Sequence, residues 1–98
     1  MSEEITVKLH RTTDLTEAAA LWSLGHPLHG IEVRDGWATF VIGHVIEDED
    51  FDRLVRSYQR GELLVEAGEF ARRRNETAAK MRRAIAEAQA AAGSAAGE

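Results

Sequence analysis

Asp35-Gly36 stands between two runs of β-forming residues, Ile31 to Arg34 on one side and Trp37 to Ile42 on the other. A two-residue loop of this composition suits the hairpin turn that needs positive φ at both central positions, so these runs are expected to pair as an antiparallel hairpin. With Asp35 and Gly36 as the turn, Arg34 faces Trp37, Val33 faces Ala38, Glu32 faces Thr39 and Ile31 faces Phe40. Pleating then puts Ile31, Val33, Ala38, Phe40 and Ile42 on one face, and Glu32, Arg34, Trp37, Thr39 and Val41 on the other.

The segments around the hairpin extend this into an ordered series. Ile5, Val7 and Leu9 alternate with Thr6, Lys8 and His10 at the two-residue period of a strand, which predicts the apolar set inward. Asp14 and Glu17 have the form of a capping box, followed by Leu15, Ala18, Ala19 and Trp22 at helical spacing until Leu24-Gly25 and Pro27. Acidic residues 47–50 then precede Phe51, Leu54, Val55 and Tyr58, a second helix predicted over 48–59. Leu63, Leu64 and Val65 form a short candidate edge strand, and residues 69–90 contain no Gly or Pro and are predicted as the longest helix.

Strand, helix, strand, strand, helix, strand is the order of the α+β, ferredoxin-like split β-α-β arrangement (β-α-β-β-α-β), here with an additional long C-terminal helix. A three-stranded sheet is the alternative, because the fourth strand is so short. The expected organisation is a single domain over residues 1–90 and a disordered Ala/Gly/Ser tail over 91–98.

Composition excludes several functions. The 98 residues contain no cysteine, which removes disulfides, thiolate metal sites and thiol nucleophiles and fits a reducing, cytoplasmic setting. No apolar run is long enough for a membrane span, and the N-terminus lacks the pattern of a signal peptide. The net charge of -5 is unevenly spread: residues 1–59 hold 5 Lys/Arg against 11 Asp/Glu, residues 60–83 hold 7 against 4. An acidic body disfavours wrapping by nucleic acid, although Arg72, Arg73, Arg74, Lys80, Arg82 and Arg83 on the last helix are candidate phosphate contacts.

Motifs for chemistry are sparse. His10, His26, His29 and His44 are the neutral metal-ligand candidates, but zinc needs three or four convergent donors, and Pro27 prevents His26 and His29 from sharing a helix face. The acidic run 47–50, with Asp52, lacks the alternating pattern of a calcium loop. Neither Ser23 nor Ser57 has the context of a nucleophile. No catalytic residue, cofactor or metal is therefore assigned.

Trp37 carries more weight. The hairpin places it beside Arg34 on the face away from the core, where an intramolecular helix, a second subunit or a ligand must cover it. Trp37, Arg34, Thr39 and Val41, with Met81 and Ile85 from the long helix, are the candidate interface residues. The sequence thus suggests a non-enzymatic protein–protein interaction or accessory module, self-associating as a homo-oligomer, with nucleic-acid association as the alternative.

Thr13-Asp14-Leu15, Leu24-Gly25, Gly30-Ile31-Glu32, Phe40-Val41, Tyr58-Gln59-Arg60-Gly61-Glu62-Leu63, Val65 and Phe70 together resemble a group of small uncharacterised domains from bacteria and their phages. The resemblance implies a compact fold and an accessory role in a phage or mobile element. It assigns no site.

Overall fold

The computed structural model describes residues 7–45 and 49–96, so Ile5 and Thr6 of the expected first strand and the acidic residues 47 and 48 lie outside the described residues. The order is β1 (Val7–Thr12), α1 (Leu15–Ser23), β2 (Leu28–Arg34), β3 (Trp37–Val45), α2 (Glu49–Gln59) and α3 (Ala67–Ala96). The strands form an antiparallel sheet in the order β1-β3-β2, with all three helices contributing to a core on one side. This is the expected α+β arrangement with its additional C-terminal helix. At the place of the closing strand, residues 62–66 have no regular structure and Leu64 is 88% exposed, so the described sheet is the three-stranded variant. Three residues offer too few ladder bonds and too little apolar contact to hold a strand on the β1 edge.

The hairpin forms in the register expected of it, from Arg34↔Trp37 to Ile31↔Phe40. Asp35 and Gly36 take φ of 54° and 81°, the left-handed region the turn requires. Farther along, the pairing shifts between Leu28↔Ile42 and Gly30↔Val41, which makes His29 the extra residue of a β-bulge.

β1 faces the opposite way from expectation. Lys8, His10 and Thr12 pair with His44, Ile42 and Phe40, so His10 shares the buried face of Ile42, while Val7 and Leu9 lie on the open face at 58% and 37% exposure. The inward side is favoured because His10 finds partners there: its Nε2–H donates to Glu17 at 2.9 Å, and its ring meets the edge of Phe51. Glu17 is buried by this contact. Asp14 caps α1 as predicted, accepting from the amides of Thr16 and Glu17 at 2.9 and 3.3 Å, but the Glu17 side chain turns to His10 and does not close a capping box.

Ala18, Leu21, Phe40, Ile42 and Phe51 are the buried centre, flanked by Leu15, Leu28, Ile31, Ala38, Leu54, Val55 and Met81. α2 is described over Glu49–Gln59, the expected start at residue 48 lying outside the described residues, and is anchored at its other end when Tyr58 donates a short hydrogen bond to Asp14. α3 starts at Ala67, capped by the Glu66 carboxylate, which accepts from the amides of Gly68 and Glu69. Those two bonds hold the Glu66 carboxyl below its ordinary range. The helix runs on to Ala96 and does not end near residue 90. The segment expected as tail is alanine-rich, and alanine is the strongest helix former.

Phe51→Ala is expected to destabilise the domain by about 3–5 kcal/mol, read from denaturant melts, because its ring fills the space between α2 and the sheet. Tyr58 is the chain's single tyrosine, so its ionisation is directly measurable. Burial, with the hydrogen bond to Asp14 next, pushes its pKa up to about 12. In a phenolate absorbance titration, the stabilisation is expected in full below the ordinary value of 10 and lost as pH rises toward 12. Tyr58→Phe removes this high-pH dependence.

Candidate interaction surface

With every helix on one side, the other face of the sheet is uncovered among the described residues. Pairing assigns it Val7, Leu9 and Arg11 from β1, Trp37, Thr39, Val41 and Gly43 from β3, and Glu32 and Arg34 from β2. Trp37, at 77% exposure, sits at one end, and Val7 and Leu9 at the other. Between them, Arg11 Nε donates to Glu32 Oε1 at 3.0 Å. Arg11 is opposite Val41 and Glu32 opposite Thr39, so this bridge spans β3 and roofs Val41, which is buried on an otherwise open face.

The sequence correctly groups Trp37, Arg34, Thr39 and Val41 on this face and misses Val7 and Leu9. The missing information is the direction of β1: alternation gives two faces without saying which is buried, and an apolar set is the natural inward choice. A folded-back α3 does not cover Trp37. Met81 instead packs against the domain's own core, and Ile85 is half-buried beside Val33 and the hairpin turn. Both of these candidate interface residues are therefore engaged within the chain.

The basic series on α3 is divided in the same way. Arg73 lies 4.8 Å from the Trp22 ring centroid and donates to Glu69 at 2.9 Å, and Arg72 pairs with Glu69 at 3.1 Å. Thr77, fully buried, donates its hydroxyl to the Arg73 carbonyl at 2.7 Å. Arg74, Lys80, Arg82 and Arg83 remain exposed. The contiguous triplet is thus not one cationic surface, because its central arginine secures α3 to α1.

Three of the four histidines do gather, but around an aromatic ring. His44 stacks on Phe51 at 4.1 Å between centroids, and His26 and His10 meet it edge-on at 4.9 and 5.5 Å. His29 is exposed on the β2 bulge. Among the described residues, no three His, Asp or Glu side chains are disposed to hold a metal ion, and no helix is long and apolar enough to cross a membrane.

No family model, curated protein or solved structure matches the chain.

Two tryptophans report on the two sides of the molecule. Trp22→Phe is expected to leave the red-shifted, readily quenched emission of exposed Trp37. Trp37→Phe is expected to leave a blue-shifted, protected signal from half-buried Trp22. Arg73→Ala should increase acrylamide quenching of Trp22, with a stability loss of about 0.5–2 kcal/mol from the cation–π contact.

Proposed function

We propose that this chain is a small non-enzymatic protein–protein interaction module whose open sheet face docks a second copy of itself. The observation that carries the reading is Trp37, 77% exposed on the same uncovered face as Val7 and Leu9. Exposed large apolar side chains at both ends of one uncovered face mark it as a contact surface. Size supports self-association as well, because a domain of this length buries a modest fraction of its surface alone.

The face carries both signs of charge, Arg11 and Arg34 against Glu32. Two sheets stacked about a two-fold axis can add each copy's Arg34 to the Arg11–Glu32 pair of the other at the rim while Trp37 packs inside. The resemblance to small bacterial and phage domains favours an accessory role, in a cytoplasmic setting consistent with the lack of cysteine.

Light scattering over a range of concentration tests this directly. Wild type is expected to approach twice its 10.8 kDa chain mass as concentration rises, with Trp37 emission shifting to the blue, and Trp37→Ala to remain a folded monomer. A wild type that stays monomeric throughout, or a dimer indifferent to Trp37→Ala, overturns the reading.

A further inference from the structure

The outer edge of β2 has no strand partner among the described residues, and α3 runs beside it as the wall of a groove. Leu28, Ile31, Lys80, Arg83, Ala84 and Glu87 are among the residues lining the first part, a cavity of about 270 Å³. Val33, Gly36, Ile85, Ala88 and Ala92 line the second, of about 300 Å³. Successive residues of α3 meet successive residues of β2, so the two cavities follow one line from the bulge to the hairpin turn. We propose that this groove binds an extended acidic peptide segment, which adds to the edge of β2 as a fourth strand and directs its carboxylates to Lys80 and Arg83.

Three features carry the assignment. The first is length: from Lys80 to Ala92, α3 rises about 18 Å at ~1.5 Å per residue, the span of about five strand residues. Beyond the bulge, β2 is regular over Gly30 to Arg34, a matching stretch of edge. The second is shape. Ala84, Ala88 and Ala92 keep the helix wall low, leaving space for alternate side chains of an added strand while its backbone meets the β2 ladder.

The third is charge. Lys80 and Arg83 are exposed, have no ion pair among the described residues, and stand at the bulge end of the groove. Glu87 lines the same cavity one helical turn beyond Arg83, and Asp35 lines the second. Two cations against one carboxylate leave the bulge end with the excess of positive charge, which places the acidic part of the peptide there, against Lys80 and Arg83. Glu87 and Asp35 along the groove disfavour a phosphodiester backbone, whose charge is uniform along its length.

Selection from a random heptapeptide display library on the immobilised full chain tests the proposal. Enriched peptides are expected to carry acidic residues next to an alternating apolar pattern. Their affinity by fluorescence polarisation should fall at least about tenfold with Lys80→Glu/Arg83→Glu, and similarly with Ala88→Arg, which fills the groove. Methylation of alternate peptide amides should abolish binding, because the added strand loses its ladder. Circular dichroism establishes that each variant is folded.

Failure to enrich any peptide over background, or binding that survives both Ala88→Arg and amide methylation, overturns the proposal. So does a single-stranded DNA oligonucleotide that binds in preference to the acidic peptides, or a wild-type dimer that Ala88→Arg dissociates. Trp37→Ala is expected to leave peptide affinity unchanged, so this groove and the sheet-face dimer stand or fall separately.

Discussion

Phe51 holds the arrangement together. It carries α2 into the core, and its ring contacts imidazoles from β1, the α1–β2 connection and β3. His10 can point inward because that ring and the Glu17 carboxylate receive it. Once His10 is inside, the two-residue period of β1 puts Val7 and Leu9 outside. The apolar character of the open sheet face is therefore a consequence of how a polar side chain is accommodated on the other face.

A second set of contacts fixes α3. Arg73 joins α3 to Trp22 of α1 and to Glu69 and Glu76 of its own helix, with Thr77 satisfying its hydroxyl one turn later. Met81 then enters the core, and the helix continues beside β2. Basic residues that form one run in sequence thus have different roles: some lock the helix, while Lys80 and Arg83 stand beside a groove. The open sheet face and the β2 edge are separate surfaces created by the same placement of all helices on one side.

Local chemistry made much of this legible. A turn needing positive φ selects Asp-Gly, the hairpin register follows from the turn, and the register correctly separates Phe40 and Ile42 from Trp37 and Thr39. The Asp14 cap and the Leu24-Gly25 stop likewise act within a few residues, and Gly25 at φ 101° lets the His26 amide reach the Leu21 carbonyl. Leu63 to Val65 have the composition of a strand, but apolar composition cannot say whether a pairing partner holds it. Met81 and Ile85 fall on a helical stripe, and periodicity identifies a stripe without naming what it packs against.

Neighbours close along the chain suffice for the α+β class, the hairpin and its register, the start of α1 and the isolation of Trp37 from the core face, whereas α3 starts two residues before the expected Glu69 because Glu66 caps it. Tertiary structure decided which way β1 faces, which arginine secures α3, how three histidines meet around Phe51, and where a sheet edge and a helix leave a groove. These outcomes depend on competition between partners distant in sequence: His10 is seven residues from Glu17 and much farther from Phe51. A residue's own periodicity cannot encode the bond offered from across the fold.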